Sequence, residues 1–277
     1  MMPNRDKAEA SVLKVRDLSI HYGDKKLLKS INFSINPGEV VAVIGANGAG
    51  KSTLLNTIID GLGVSRDGFV YQGEINFLDQ AIESITIHRR AQQLALLPQT
   101  SHLPFPFTVQ EVVALGRTPH STGNKIDQQI VHSLLARLDI DHLSEQMVPQ
   151  LSGGERQRVH LARVLAQLTQ VSELSSQSIP RLLLLDEPCN ALDMQHQQLL
   201  LDSIKQLKAE NIAVLLVSHD LNWAIQCADR FLALKQGELI AEGDAEAVIT
   251  TKTLREIYNI ETSILIHPKT KRPVVLM

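Results

Sequence analysis

Unbroken apolar runs alternate with amphipathic stretches along the central and C-terminal parts of the chain. The runs at 40–44 (VVAVI), 181–186 (RLLLLD) and 212–220 (IAVLLVSHD) are bounded by polar or turn-forming residues. Such runs are typical of strands buried on both faces of a parallel sheet. Residues 51–60 and 194–210 carry apolar residues at helical spacing. This alternation predicts an α/β core with a mostly parallel sheet.

Three other segments follow different patterns. Branched and polar residues mix in 11–39, with turn signals at YGDKK and NPGE, which predicts short antiparallel strands. The segment 108–148 has no strand-like run, and its apolar residues recur every four positions, which predicts an inserted helical lobe. The segment 169–180 (TQVSELSSQSIP) is polar and ends in proline, so we predict a surface insertion there. The apolar positions of the lobe are Ile126, Ile130, Leu134 and Leu138.

Composition narrows the possible functions. The 277 residues are 44% hydrophobic and 21% charged, as in folded globular proteins, and the net charge of −3 gives no basic excess for nucleic acid. Cys189 and Cys227 lie far apart, so neither a disulfide framework nor a zinc site is expected. The sequence has no apolar run of the ~18 to 20 residues that a membrane helix needs, and MMPNRDKAEA has no signal core. We therefore expect a cytoplasmic protein.

The stretch GANGAGKST at 45–53 matches G-x-x-x-x-G-K-[ST] through Gly45, Gly50, Lys51 and Ser52. It follows a predicted buried strand and opens a predicted helix. In that context the backbone N–H groups, the helix N-terminus and the Lys51 ammonium converge on phosphate, and Ser52 can ligate Mg²⁺. The alternative is a glycine-rich turn with a solvated lysine, and the strand and helix on either side argue against it.

Two adjacent carboxylates, Asp186 and Glu187, end the apolar run LLLLDEP. Open parallel sheets bind ligands at the carboxyl ends of their strands. Asp186 fits an aspartate that holds Mg²⁺, usually through water, and Glu187 fits the base that orients an attacking water. The alternative is a helix-capping pair, which the preceding phosphate-loop motif disfavours.

The segment LSGGERQ at 151–157 places a serine and two glycines before a predicted helix. That arrangement makes a second N-terminal anion site, which a single bound nucleotide does not need. With it, the chain resembles the ATP-binding cassette (ABC) ATPases, whose signature is LSGGQ. The resemblance covers nearly the whole chain in the family's order, through Tyr22, the loop at 45–53, Gln99, 151–157, Asp186, Glu187, 190–193 (NALD) and His219. Taken singly, Tyr22 could be a packed edge residue, Gln99 a loop amide and His219 a satisfied strand-end histidine.

The resemblance implies a P-loop NTPase fold, with a mostly parallel core sheet, an antiparallel β subdomain and an inserted α-helical subdomain. It implies one ABC ATPase domain over 1–277, with the core at about 11–98 and 158–260, the helical subdomain at about 100–157 and a tail at 261–277. ATP and Mg²⁺ are the implied cofactors. The implied catalytic residues are Glu187, His219 and Gln99. The implied Mg²⁺ ligands are Ser52, Gln99 and Asp186. The implied ATP-binding residues are Tyr22, Gly45, Asn47, Gly48, Gly50, Lys51, Ser52, Thr53, Ser152, Gly153, Gly154 and Asp193.

The resemblance also implies a head-to-tail pair of copies that share two ATP molecules. Ser152, Gly153 and Gly154 would contact the γ-phosphate held by the second copy, His219 would contact it within its own chain, and Asp193 would link the two sites. Two departures from the family pattern are visible. Glu155 and Arg156 precede Gln157 where the family has a direct glutamine, and Cys189 and Asn190 replace the usual Thr and Ser.

A single cassette with a short lobe would have to borrow its pore from other chains. The expected partners are a second copy, a transmembrane permease dimer and, indirectly, a periplasmic substrate-binding protein, at the cytoplasmic face of a bacterial inner membrane. A soluble cassette ATPase acting on ribosomes or DNA is the alternative. Such proteins usually resemble two fused cassettes or carry coiled-coil arms and basic extensions, which this sequence lacks.

The cargo is predicted from two segments that resemble parts of known importer ATPases. Residues 97–120 resemble importer ATPases for haem, ferric siderophores and cobalamin. Within them, Phe105, Pro106 and Phe107 form either an apolar surface for a permease helix or part of the lobe's packing. Residues 161–168 (LARVLAQL), the insertion and RLLLLDEP are most similar to the haem importers. We therefore expect a haem importer ATPase, with ferric-siderophore or cobalamin import as the alternative.

Overall fold

The computed structural model describes residues 11–62, 68–101, 103, 105–170 and 179–276. Most of the predicted insertion at 169–180 lies outside the described residues. The strands within these ranges are β1 (Leu13–Tyr22), β2 (Lys25–Ile35), β3 (Val40–Ile44), β4 (Phe69–Phe77), β5 (Gln80–Ala81), β6 (Leu94–Leu97), β7 (Arg181–Asp186), β8 (Ile212–Val217), β9 (Arg230–Lys235), β10 (Glu238–Gly243), β11 (Ser263–Ile266) and β12 (Pro273–Leu276).

Helices cover both faces of the main sheet and form the lobe. They are α1 (Lys51–Asp60), α2 (Ile87–Gln93), α3 (Val109–Leu115), α4 (Asn124–Arg137), α5 (Gly153–Leu168), α6 (Met194–Ala209), α7 (Leu221–Cys227), α8 (Ala245–Val248) and α9 (Thr251–Tyr258). Short 3-10 turns occupy Ile82–Ser84, Asp141–Leu143 and Val148–Gln150. Across the described ranges, no helix combines the length and apolar composition needed to cross a bilayer.

The central sheet has six strands in the order β10-β9-β3-β8-β7-β6. Strands β9, β3, β8, β7 and β6 run parallel, and β10 pairs antiparallel at one edge. Every residue of β3, β7 and β8 is buried, as the unbroken apolar runs predicted. The prediction of a mostly parallel α/β core is confirmed.

Strand β3 shows why both faces of the sheet must be covered. Successive side chains point to opposite faces, so Val40, Ala42 and Ile44 join a core shared with the helices of the lobe and α6. Val41 and Val43 join a second core built from α1 and the antiparallel sheet. The phosphate-loop motif therefore follows a strand held from both sides.

The N-terminal segment forms an antiparallel sheet in the order β2-β1-β4-β5. Its first two strands span 10 and 11 residues, so the expectation of short strands was wrong. The hairpin register shifts near Asp17, whose φ is 47°, and the Asp17 carboxylate accepts hydrogen bonds from Ser30 and Asn32, both at 3.0 Å. This bulge bends β1 without ending it.

The predicted helical lobe is present, and its helices α3 and α4 pack against α5. Helix α3 begins at a capping box in which the Thr108 N–H donates to Glu111 at 2.8 Å and the Glu111 N–H donates to the Thr108 hydroxyl at 3.3 Å. On α4, Leu134 is buried, whereas Ile126 and Ile130 are only half-buried. The four-residue repeat therefore marks the correct helix, but its N-terminal half packs less tightly than predicted.

A buried arginine fixes the lobe to α5. Arg117 donates to Asp127 at 2.8 Å and to the carbonyls of Ala166 and Thr169, both at 2.6 Å. These carbonyls belong to the last turn of α5 and the residue after it, where no helical N–H is available. The lobe, the end of α5 and the start of α4 are thus joined through one side chain.

The C-terminal hairpin of β11 and β12 packs on the main domain. Val275 is buried, and Asn222 on α7 both donates to its carbonyl (3.0 Å) and accepts from its N–H (2.9 Å). The predicted tail at 261–277 is thus ordered against α7 in its described part.

Candidate functional site

The phosphate-loop motif joins the end of β3 to the first turn of α1. Glycine is required at both ends of the motif by close approach of other backbone. A Cβ on Gly45 would lie 2.4 Å from the Leu234 carbonyl oxygen, and one on Gly50, where φ is 106°, would lie 2.9 Å from that of Leu27. Gly48 at the loop's apex also has positive φ but faces open space. The two ends of the loop therefore pack closely against other backbone, whereas its apex at Gly48 is open.

The first turn of α1 is left free for an anion. Gly50 is its N-cap, with no side-chain cap hydrogen bond and no acidic residue in the first turn. The leading N–H groups of a helix need partners from outside it, and its dipole favours a negative ligand there. The geometry therefore suits phosphate.

Lys51 turns back into the loop. Its Nζ donates to the carbonyl oxygens of Gly45 at 2.6 Å and Ala46 at 3.0 Å, and the side chain is buried. Burial lowers the pKa of Lys51, while the charges of Glu187 and Asp186 oppose that shift. The ammonium lies inside the loop, near both carboxylates, rather than in solvent as the alternative interpretation required.

Asp186 ends β7 beside α1. Its side chain is buried and hydrogen-bonds to Ser52, and burial raises the pKa of the carboxyl, with Glu187 adding to the shift. Within the described ranges, Oδ1 of Asp186 has no hydrogen-bond partner. A buried carboxylate oxygen without a partner, next to a serine hydroxyl, is the oxygen set that Mg²⁺ prefers.

Glu187 leaves the sheet in a strained backbone conformation with φ of 51°. Gln99 Nε2 donates to its Oε2 at 2.7 Å, Asn190 Nδ2 donates to the same oxygen at 2.6 Å, and His219 Nε2 lies 2.6 Å from Oε1. The side chain is 11% exposed. The structure thus brings Gln99 and His219, which lie 88 positions before and 32 positions after Glu187 in the sequence, to the Glu187 carboxylate.

Tyr22 ends β1 and stays 53% exposed. Its ring lies 4.9 Å from that of Phe69 and covers Gly68, where a Cβ would come within 2.9 Å of the ring. The ring is therefore held in place from one side and available from the other, which is the arrangement that a base-stacking residue needs.

The signature segment lies at the start of α5. Ser152 is the N-cap, and its hydroxyl accepts from the Glu155 N–H at 3.3 Å while Glu155 accepts from the Ser152 N–H at 2.8 Å. Ser152 and Gly153 are exposed. A Cβ on Gly154 would come within 2.8 Å of the Ala191 carbonyl oxygen. The hydrogen bonds found for Ser152 go to Glu155 and Arg156 of its own helix and do not reach 45–53.

Asp193 caps α6 and makes contacts that the sequence did not indicate. Its Oδ1 accepts from the His196 N–H at 2.9 Å and lies 2.6 Å from His196 Nδ1, while Nε2 of the same ring lies 3.9 Å from Asp139. His196 therefore lies between the loop at 190–193 and Asp139, just after α4 in the lobe. The signal available in the sequence was a histidine three positions after an N-cap aspartate.

Two more residues at the site were missed. Asn190 contacts Glu187 as described above, and the sequence marked it only as a departure from the family pattern. Tyr258 at the end of α9 accepts a hydrogen bond from the Gly45 N–H at 3.2 Å, and burial raises its pKa. No local pattern links Tyr258 to Gly45, because 213 positions separate them.

The Phe-Pro-Phe segment is partly exposed and partly packed. Phe105 is 65% exposed, whereas Phe107 is half-buried against the core, and their rings meet edge to face at 6.3 Å. Phe105 and Pro106 are therefore the surface part of the segment, and Phe107 anchors it.

Comparisons with known proteins agree with this geometry. The ABC transporter family model matches residues 28–190, more than half of the chain. The chain is 42% identical to the hemin import ATP-binding protein HmuV of Pseudomonas fluorescens, over 96% of this chain and 99% of that protein. It is 40% identical to the HmuV protein of Hahella chejuensis, over 94% and 97% respectively.

Solved structures show the same fold. A chain of an ABC transporter assigned to the metal-chelate type, in an inward-facing conformation, has a TM-score of 0.74 at 26% identity, covering 96% of each chain. An ATP-binding subunit of an ABC transporter has a TM-score of 0.73 at 26% identity, covering 91% of this chain and 95% of that one. Motif order, site geometry and the family match all agree, and the chain therefore belongs to the ABC transporter family.

Proposed function

We propose that this chain is the ATP-hydrolysing subunit of a membrane importer for haem. The observation that carries the catalytic part is the Glu187 carboxylate, held by Gln99 and His219 at the exit of β7 beside an anion-binding loop. The relatives at 40 to 42% identity that are named hemin import ATP-binding proteins support the cargo.

In this proposal ATP lies over α1. The freed N–H groups of the loop and the Lys51 ammonium bind its β- and γ-phosphates, and the exposed Tyr22 ring stacks on adenine. The remaining phosphate contacts come from the loop and the first turn of α1. The residues that bind ATP within one chain are Tyr22, Gly45, Asn47, Gly48, Gly50, Lys51, Ser52 and Thr53.

Asp186, Ser52 and Gln99 would hold Mg²⁺. The partnerless Oδ1 of Asp186 next to the Ser52 hydroxyl fits this ion. When bound, Mg²⁺ neutralises charge on the phosphate oxygens. Glu187 would orient and deprotonate the attacking water, and His219 would contact the γ-phosphate within its own chain.

Two copies would face each other head to tail. Ser152, Gly153 and Gly154 of one copy then bind the γ-phosphate held by the other, and Asp193 joins the two sites. The exposure of Ser152 and Gly153, and the absence of hydrogen bonds from Ser152 to its own phosphate loop, support this shared arrangement. Closure on ATP and opening after hydrolysis would drive transport.

The dimer would dock on a transmembrane permease dimer at the cytoplasmic face of a bacterial inner membrane, with a periplasmic binding protein delivering cargo. The exposed Phe105 supports a permease contact on the lobe. A ferric siderophore or cobalamin is the second candidate cargo, and the structural similarity to a metal-chelate type transporter supports it.

Uptake measurements in the native host test this proposal. Deleting the gene should abolish uptake of labelled hemin, and the wild-type chain, but not Glu187→Gln, should restore it. Parallel assays with a labelled ferric siderophore and cobalamin identify the cargo. Unchanged uptake of all three in the deletion strain would contradict the importer role, and an uptake defect for another chelate alone would contradict haem.

A further inference from the structure

The Glu187 carboxylate has more donors than a water-orienting base can keep. Oε2 accepts from Gln99 Nε2 at 2.7 Å and from Asn190 Nδ2 at 2.6 Å, which uses both in-plane acceptor positions of that oxygen. Oε1 faces His219 Nε2 at 2.6 Å. Before hydrolysis, at least one of these contacts must be given up to an attacking water.

The three donors differ in what else they have to do. Under the proposed function, Gln99 turns to Mg²⁺ and His219 turns to the γ-phosphate. Asn190 is assigned to neither ligand. Its amide can therefore keep its hydrogen bond to Oε2 when Gln99 and His219 move away from the carboxylate.

The local backbone holds Asn190 in position for this contact. Its N–H also donates to the Glu187 carbonyl at 3.2 Å, so residues 187 and 190 are joined by a backbone and a side-chain hydrogen bond. Ala191, with φ of 66°, then turns the chain toward α6. Only the NH₂ group of the amide can face an ionised carboxylate at 2.6 Å, since the amide oxygen would repel it.

We propose that Asn190 is a positioning residue for Glu187, an inference that rests on the proposed function. Its amide holds Oε2 and fixes the rotation of the carboxylate, so that Oε1 faces the attacking water once His219 has moved. The water oxygen bonds to the γ-phosphorus, its proton passes to Oε1, and the bond to the β–γ bridging oxygen breaks. The products are ADP and inorganic phosphate.

Two variants of Asn190 test the proposal. Asn190→Ala removes the donor, and Asn190→Asp keeps the shape but replaces the donor with a charged acceptor. Losing a hydrogen bond to a charged group should lower kcat about 10-fold in the first variant and at least as much in the second. The affinity for Mg-ATP, measured by fluorescence titration, should stay within about twofold of wild type, because the proposed function assigns Asn190 no contact with the nucleotide.

A second readout follows the lifetime of the dimer instead of the release of product. Because hydrolysis is slower, the ATP-dependent dimer of Asn190→Ala should persist longer than that of wild type in size-exclusion chromatography with light scattering. Cys189→Ala is the matched control, since it removes the neighbouring side chain without touching Glu187, and it should keep wild-type kcat.

A double-mutant cycle separates positioning from a merely structural effect. In a Glu187→Gln background, Asn190→Ala should leave the residual rate unchanged, because the contact it removes no longer serves a base. Wild-type kcat in both Asn190 variants, or equal additional losses in the Glu187→Gln background, would overturn the proposal. Near-normal hydrolysis by Glu187→Gln alone would instead overturn the base assignment on which it rests.

Discussion

The two helices predicted to bind phosphate at their N-termini, α1 and α5, begin in opposite ways. Helix α1 starts at Gly50 with no side-chain cap and no acidic residue in its first turn. Helix α5 starts at Ser152 with a complete capping box, and Glu155 lies in its first turn. The N-terminus of α1 is therefore free to bind an anion, whereas that of α5 already has its Glu155 N–H paired with Ser152 and carries the negative charge of Glu155.

This difference between the two helices fits an ATP site that is shared by two copies of the chain. A signature helix with an uncapped N-terminus would compete with the phosphate loop for free nucleotide. A capped one has little affinity for phosphate until a second copy presents ATP. The capping box also explains how an exposed helix end stays ordered in a single chain. The predictions below test each side of the comparison, from the largest expected effect to the smallest.

Glu187→Gln should reduce ATP hydrolysis about 10² to 10⁴-fold, the range typical of a lost general base. Lys51, Ser52 and Asp186 still bind the nucleotide, so binding should survive and an ATP-dependent dimer should outlast that of wild type. Steady-state ATPase assays and size-exclusion chromatography with light scattering measure both effects. A near-normal rate would exclude Glu187 as the base.

Lys51→Ala should weaken Mg-ATP binding by about 100-fold or more, because the phosphate loop loses the buried ammonium and its charge-assisted contacts. Isothermal titration calorimetry measures the affinity. Lys205→Ala, which removes an exposed lysine on α6, is the matched control and should bind normally. Equal affinities of the two variants would refute the phosphate-loop assignment.

Ser152→Arg, added to Glu187→Gln, should abolish the ATP-dependent dimer while leaving each single chain able to bind nucleotide. The large side chain obstructs the contact that the second copy's γ-phosphate would make. Light scattering with and without Mg-ATP follows the dimer, and a fluorescent nucleotide follows the single-chain affinity. A dimer that forms despite the arginine would contradict the shared site.

The buried face of α5 should give the protein a pH-dependent stability. Burial, with Arg163 and Arg156 adding to it, lowers the pKa of His160 from 6.5 to about 4, and neither ring nitrogen has a partner in the described structure. The unfolded chain therefore binds more protons between these values. The stability that neutral His160 contributes is present above pH 6.5 and is lost as the pH falls toward 4.

The loss should amount to about 1 to 3 kcal/mol in the free energy of unfolding. His160→Leu should show a weaker decline between pH 7 and pH 4.5 in urea titrations. His132→Leu, on the exposed side of α4, is the control and should follow wild type. Parallel pH profiles for all three proteins would contradict the assignment to His160.

Glu155→Gln should have the smallest effect, a strengthening of the ATP-dependent dimer by about two- to threefold at low salt. Hydrogen bonds from the Ser152 side chain and backbone lower the pKa of Glu155, so its charge is present at neutral pH. Glutamine keeps the capping box but removes that charge. The effect should fade at high salt.

The control for that variant is Glu111→Gln, because Glu111 makes the same capping box on α3 and its pKa is lowered by Thr108 in the same way. It should leave dimerisation unchanged. Equal effects of the two variants would show that capping, not the charge at the signature, sets the dimer strength.

Much of the fold and the role of the phosphate loop could be predicted from local sequence. The buried strands, the helix after Lys51 and the helical lobe follow from hydrophobic periodicity, which depends on neighbours a few residues apart. The expectation of short strands in 11–39 was wrong because a bulge at Asp17, held by Ser30 and Asn32, lets β1 continue through a shift in register. The role of the phosphate loop followed from its motif and its position between a strand and a helix.

The sequence by itself determined the fold class, the order of the motifs and hence the family, because each depends on residues close together in the chain. Only the tertiary structure decided that Asn190 and Gln99 share one oxygen of Glu187, that Tyr258 binds the Gly45 N–H, and that His196 bridges Asp193 to the lobe. These contacts depend on side-chain direction and on how separate elements pack. A pattern of neighbouring residues does not specify side-chain direction or the packing of separate elements, because packing in a dense core is set by the whole set of surrounding side chains.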